Sequence, residues 1–70
     1  MLKLFDAIVG LGFAKSKSEA RRLITAGAVK IDSEVVTDEF RNILPEDFAG
    51  SDTVLISVGK KKIGRILLTP

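Results

Sequence analysis

Hydrophobic residues near the start of the chain recur at helical spacing and predict two helices. The first is expected over about residues 2–11, where five apolar side chains share one stripe. The second is expected over residues 17–26, because Ser16 and Glu19 fit a capping box and Gly27 stands where a left-handed C-terminal cap belongs. The second helix therefore has both a start signal and a stop signal.

After the second helix the periodicity becomes that of short strands. The segment between residues 37 and 52 is acidic and reads as irregular. Two short strands are expected to flank a tight turn at 32–34, and two longer strands are expected to flank a lysine-rich turn. The four predicted strands are Val29–Ile31, Val35–Val36, Thr53–Val58 and Lys62–Leu68. The element order predicts an α+β fold, with two N-terminal helices packed on a small antiparallel sheet in a single domain over 1–70.

Charge is distributed unevenly along the 70 residues, although the net charge is only +2. Residues 1–31 carry six basic and two acidic side chains, and residues 53–70 carry four basic side chains and no acid. Between them, residues 32–52 carry seven acidic side chains and one basic one. This pattern predicts a basic face, which is the footprint of a polyanionic partner, although solubility alone would also account for it.

The composition argues against a self-contained active site. The chain has no cysteine and no histidine, which removes the thiolate ligands, the commonest zinc ligand and the commonest general base. No phosphate-cradling glycine loop is present, so no catalytic residue, metal or cofactor is expected in this chain. No apolar run reaches the ~18 residues of a membrane span, and a cytoplasmic location is expected.

Basic residues crowd the start of the second helix. Lys17 and Arg21 are four residues apart on one flank, and no acid in the helix compensates them. The positive end of the helix dipole lies at the same turn, so these cations oppose the folding preference for acids there. A phosphate is the natural partner for such a site.

A second basic cluster follows Gly59 and could join the first if the last strand packs near the second helix. It could instead protect a sheet edge from aggregation. The four phenylalanines do not alternate with the basic residues, so contacts to phosphates and RNA shape are expected in preference to base stacking. The predicted RNA-binding residues are Lys15, Ser16, Lys17, Ser18, Arg21, Arg22, Lys30, Lys60, Lys61, Lys62 and Arg65.

Residues 12–24 and 27–31 together resemble the small RNA-binding domain named after ribosomal small-subunit protein S4. The shared features are a Gly-hydrophobic-Ala stretch, a Ser-basic-Ser-Glu-Ala-Arg helix start and a Gly-x-Val-basic-hydrophobic strand. The resemblance covers about residues 4–44. The ending over residues 58–66 is similar to the end of bacterial tyrosyl-tRNA synthetases, whose last domain is of this type, and the pair Arg21-Arg22 suits the same subgroup.

This resemblance implies a C-terminal domain, with Met1 an added or internal start, that binds tRNA(Tyr). An upstream catalytic domain would then charge the tRNA with tyrosine, using ATP. It also implies a monomeric domain without turnover of its own and a homodimeric parent enzyme. Two alternatives stay open: a free-standing or pseudouridine-synthase-linked RNA- or rRNA-binding module, and a protein–protein docking domain.

Overall fold

The computed structural model describes residues 2–48 and 50–67. Its two helices lie on one face of a four-stranded antiparallel sheet of order β3-β2-β5-β6, and a separate two-stranded ladder joins β1 to β4. The predicted α+β architecture is thereby confirmed. The elements are β1 (Leu2–Lys3), α1 (Leu4–Gly10), α2 (Lys17–Thr25), β2 (Val29–Ile31), β3 (Glu34–Val36), β4 (Asn42–Ile43), a 3-10 turn (Pro45–Phe48), β5 (Thr53–Val58) and β6 (Lys62–Leu67).

Helix α1 begins two residues later than predicted. Leu2 pairs with Ile43 and Lys3 with Asn42, so these residues form a strand rather than a first helical turn. Local periodicity could not reveal this, because the pairing partner lies about forty residues away. Met1 and the predicted strand end at Leu68 lie outside the described residues.

Helix α2 ends in the left-handed glycine cap that its sequence predicts. Gly27 has a φ of +77°, its amide donates to the Ile24 carbonyl, and the Ala28 amide donates to Leu23. These two bonds form a Schellman motif and satisfy carbonyls that the helix would otherwise leave unpaired. The last helical residue is Thr25, with Ala26 as the cap, one residue short of the predicted end.

The hairpin of β2 and β3 closes through two residues, Asp32 and Ser33, so the predicted turn is shorter by one and Glu34 belongs to β3. Asp32 takes a φ of +55°, which aspartate tolerates better than most residues. The Leu55 amide donates to the Asp32 carboxylate at 3.3 Å, and this bond ties the turn to β5.

The acidic segment is more ordered than its sequence suggests. It contains β4 and the 3-10 turn, and Arg41 and Asp47 join the two through paired hydrogen bonds of 2.6 and 3.0 Å. The Asp47 carboxylate also accepts from the Leu44 amide at 2.7 Å. The prediction of an irregular segment was therefore wrong, because the bonds of Asp47 follow no periodic pattern and β4 pairs with β1, about forty residues away.

The core lies between the helices and the inner face of the sheet. Ala20 and Ile24 of α2 are fully buried there. The remaining core side chains come from α1, the loops and alternate strand positions: Leu4, Ala7, Ile8, Ala14, Val29, Ile31, Ile43, Phe48, Val54, Ile56 and Val58. Among the described residues, neither helix is long and apolar enough to cross a membrane.

Candidate nucleic-acid interface

The first turn of α2 is built by its capping residues. The Glu19 amide donates to the Ser16 hydroxyl at 3.2 Å, as the capping box predicts. The Glu19 carboxylate accepts from the Lys15 amide at 3.3 Å and not from the Ser16 amide, so the reciprocal bond falls one residue earlier than expected. The Ser16 hydroxyl hydrogen is not used by this cap and can donate to a ligand.

Two predicted cations on one flank of α2 face carboxylates from elsewhere in the chain. Lys17 Nζ lies 3.4 Å from an Asp6 oxygen of α1, and Arg21 Nε lies 4.0 Å from a Glu39 oxygen. The expectation that no acid within the helix compensates this pair therefore holds. The acids come from outside α2, where helix periodicity gives no information.

An aromatic ring also lies under the same flank. The Arg21 guanidinium carbon is 5.9 Å from the centre of the Phe5 ring, at the outer limit of a cation–π contact. The phenylalanines do not alternate with the basic residues along the sequence, but the fold brings Phe5 beside Arg21.

These ion pairs are weak. The side chains of Lys17 and Asp6 are 69% and 37% exposed, and those of Arg21 and Glu39 are 41% and 38% exposed. Exposed pairs of this kind contribute about 0.2–1 kcal/mol. A phosphate, which offers more acceptor oxygens and more charge, could replace either carboxylate at small cost.

Ser18 and Arg22 complete this side of α2, and both are exposed. They line a shallow depression together with Arg21, Thr25 and Glu39. Among the described residues, no carboxylate lies within 4 Å of the Arg22 guanidinium, which leaves its five N–H donors available to an incoming anion.

The lysine-rich turn after β5 lies beside α2. Strand β6 packs on the loop between the helices so closely that a Cβ on Gly64 would come within 2.9 Å of Leu11 and 3.1 Å of Phe13. Lys62 Nζ donates to the Phe13 carbonyl at 3.3 Å. Lys60 and Lys61 are exposed in the same turn, so this part of the second basic cluster lies next to the first, a placement that the sequence left open.

The remaining two predicted residues lie on the other side of the molecule. Lys30 stands between buried Val29 and Ile31, so it points away from the helices. Arg65 pairs with Leu55, and Lys30 pairs with Ser57 two residues further along β5. Since residues two apart in a strand share a face, Lys30 and Arg65 both lie on the outer face of the sheet. The structure separates them from the nine residues near α2.

A known protein family matches the part of the chain that contains α2 and its basic residues. The family described as the S4 domain matches residues 2–48, which hold both helices, the hairpin and β4. The chain belongs to the S4 domain family. S4 domains are RNA-binding modules, so the resemblance predicted from the α2 region and its RNA-binding class are confirmed.

Curated relatives extend the match beyond β4. A tyrosine–tRNA ligase of Novosphingobium aromaticivorans is 48% identical over 61 residues, which cover 87% of this chain and 14% of the ligase. Those of Rhizobium meliloti and Aquifex aeolicus are 43% and 41% identical and cover 87% and 94% of this chain. The chain spans only about 14–16% of the length of these relatives.

Three groups in the interface could not be identified from the S4 domain sequence. Asp6 was visible only as an acid that interrupts an apolar helix, and Phe5 only as a member of the apolar stripe. Glu39 had no local signal, since it lies in a loop and reaches Arg21 through the tertiary fold. Which of the predicted residues contact RNA stays a prediction.

Proposed function

We propose that this S4 domain binds tRNA(Tyr) as one part of a tyrosine–tRNA ligase. The observation that carries the proposal is the basic first turn of α2, where exposed cations surround a helix N-terminus in a domain similar to part of several such ligases. The similarity extends over β5 and β6, beyond the S4 match itself, in relatives that cover up to 96% of the chain. This extent favours the ligase over other RNA-binding enzymes that carry an S4 domain.

Binding would proceed by exchange of carboxylates for phosphates. The amides of the first turn of α2 and the dipole of the helix favour an anion, and Lys15, Lys17 and Ser18 surround that turn. Arg21 and Arg22 can each present two parallel N–H groups to a phosphate. Contacts of this kind position an RNA by its backbone and carry little sequence information.

The proposal assigns the chemistry of the parent protein to another domain. Tyrosine and ATP would bind in a catalytic domain outside this chain, and the parent would act as a homodimer. The domain itself would be a monomer without turnover and would hold the tRNA while the acceptor end is charged. It would need no metal and no cofactor of its own.

The test is a fluorescence anisotropy titration with a labelled tRNA(Tyr) transcript and a second tRNA of another specificity. We expect the logarithm of the association constant to fall linearly with the logarithm of salt concentration, by about 0.7–0.9 per phosphate neutralised. We also expect tighter binding to tRNA(Tyr) than to the second tRNA. Absence of binding, or binding that does not respond to salt, would contradict RNA recognition through phosphates. Equal binding of both tRNAs would contradict the tRNA(Tyr) assignment and favour a more general RNA-binding module.

A further inference from the structure

An apolar groove lies between α2 and the lysine-rich turn, on the flank of α2 opposite Arg21. Its volume is about 420 Å³, and its floor is formed by Leu23, Ala28, Val58 and the backbone of Gly59. The three lysines of the turn form its rim. The whole rim and part of the floor come from β5, β6 and their turn, outside the residues that match the S4 family.

The floor of this groove is held in place by the backbone. The Gly59 amide donates to the Ala28 carbonyl at 2.8 Å, and Gly59 takes a φ of +65°, which favours glycine. Ala28 is itself fixed by the Schellman motif at the end of α2. The small side chain of Ala28 keeps the groove open, since Ala28 lines it.

The rim carries positive charge that the described part of the chain does not neutralise. No carboxylate there lies within 4 Å of Lys60, Lys61 or Lys62, whereas Lys17, Arg21 and Arg41 each have one. Lys62 donates to a neutral carbonyl, which leaves its charge intact. An occupant therefore has to combine an apolar surface for the floor with anionic groups for the rim.

We infer that this groove receives one unpaired nucleotide of the bound RNA, with the base face on Leu23, Ala28 and Val58 and the flanking phosphates on Lys60 and Lys61. The inference rests on the proposed function and adds a base contact to an interface otherwise made of phosphate contacts. A paired base cannot fill the groove, because its faces are stacked within the helix. A base that is splayed out offers a planar apolar face flanked by two phosphates, which is the combination that floor and rim require.

The inference can be tested with tRNA(Tyr) transcripts in which unpaired nucleotides are made abasic one at a time. An abasic nucleotide keeps the phosphates and removes only the base. For the wild-type domain we expect one such position to reduce affinity about fivefold, since the apolar floor removes one face of the base from water. The other abasic positions should bind like the unmodified transcript.

Ala28→Gln fills the groove without changing charge, and Ala26→Gln is its matched control, because Ala26 is exposed and does not line the groove. Ala28→Gln should bind the unmodified transcript with the affinity that the wild type has for the transcript abasic at the sensitive position. Removal of that base should not reduce the affinity of Ala28→Gln any further. Ala26→Gln should behave like the wild type. Should Ala28→Gln fail to fold, methyl resonances of the wild-type Leu23, Ala28 and Val58 provide the same test, since a base ring shifts them and an abasic site does not.

The outcomes separate this inference from the proposed function. If the wild type binds every abasic transcript with equal affinity, the nucleotide site is overturned while RNA binding stands. The same holds if base removal reduces the affinity of Ala28→Gln as much as that of the wild type. Normal RNA binding by Ala28→Gln would likewise overturn it and would favour a protein segment as the occupant. Absence of RNA binding by the wild type would overturn the proposed function and the groove's assignment together.

Discussion

The two ion pairs on α2 differ from the ion pair between Arg41 and Asp47 in geometry and in exposure to water. On α2, Lys17 and Arg21 meet Asp6 and Glu39 through single contacts of 3.4 and 4.0 Å. On the acidic side, Arg41 binds both oxygens of Asp47, and its guanidinium also donates to the Asn42 carbonyl. The side chains of Arg41 and Asp47 are only 29% and 14% exposed, so this pair is much better shielded from water.

The contrast distinguishes a structural pair from exchangeable ones. The Asp47 carboxylate satisfies the Leu44 amide as well as Arg41, and it fixes β4 against the 3-10 turn. The hydrogen bond from Arg41 is the main cause that holds the pKa of Asp47 below its usual value, and burial opposes it. The cations of α2 have no comparable network, so an RNA phosphate can displace their partners without disturbing the fold.

The largest expected effect comes from breaking the structural pair. Asp47→Asn removes the charge that receives three hydrogen bonds, and hydrogen bonds to charged groups contribute about 1.5–3 kcal/mol each. We expect the free energy of unfolding at neutral pH, from urea denaturation, to fall by about 2 kcal/mol. Glu46→Gln, next to it and exposed, is the control and should change little. Equal stability of Asp47→Asn and the parent would show that the network is not structural.

The second effect concerns binding and not stability. Arg21→Gln combined with Arg22→Gln keeps helix propensity nearly unchanged. The double variant should lose at least tenfold in affinity for tRNA(Tyr), about 1.4 kcal/mol, while its unfolding midpoint stays close to that of the parent. Anisotropy and thermal denaturation measure the two quantities. A lower unfolding midpoint with unchanged RNA binding would show that the two arginines stabilise the fold and do not bind RNA. That result would favour the alternative of a protein–protein docking domain.

A third and smaller effect is the pH dependence of the structural pair. Because the pKa of Asp47 is lowered in the folded state, its contribution to stability is present above the unfolded pKa, about 3.9, and is lost as pH falls through the folded pKa. Urea denaturation between about pH 5 and pH 2 should show this loss in the parent. Asp47→Asn should lack that component and lose less stability over the same interval. Parallel curves for both proteins would contradict the assignment.

The smallest effect is a gain of affinity from an exchangeable pair. Under the proposed function, RNA displaces the Glu39 carboxylate from Arg21, so Glu39→Gln should bind tRNA(Tyr) about two- to fivefold more tightly, within the range of an exposed ion pair. Glu46→Gln makes the same change of charge but borders the acidic side, away from the depression that contains Arg21. At physiological salt, screening over about 8 Å should confine the gain to Glu39→Gln. Equal gains in both variants would indicate a general charge effect.

Local sequence was sufficient to predict the elements whose signals lie within a few residues. Ser16, Glu19 and Gly27 fix the ends of α2 through bonds that span three to five positions. The β-branched residues between Thr53 and Val58 predicted β5 with its observed bounds. By contrast, Leu2–Lys3 became a strand and not part of α1, because its partner β4 is distant in sequence.

The sequence by itself determined the type of interface, and the tertiary structure decided its extent. Basic residues around a capped helix start, together with the S4 pattern, already indicated phosphate recognition. The sequence could not show that β6 packs on Leu11 and Phe13, which brings Lys60–Lys62 beside α2 while Lys30 and Arg65 face the opposite side. It also could not show which carboxylates partner Lys17 and Arg21. Caps and periodicity depend on neighbours within one turn, whereas the side of a sheet and the partner of a charge depend on contacts between elements far apart in the chain.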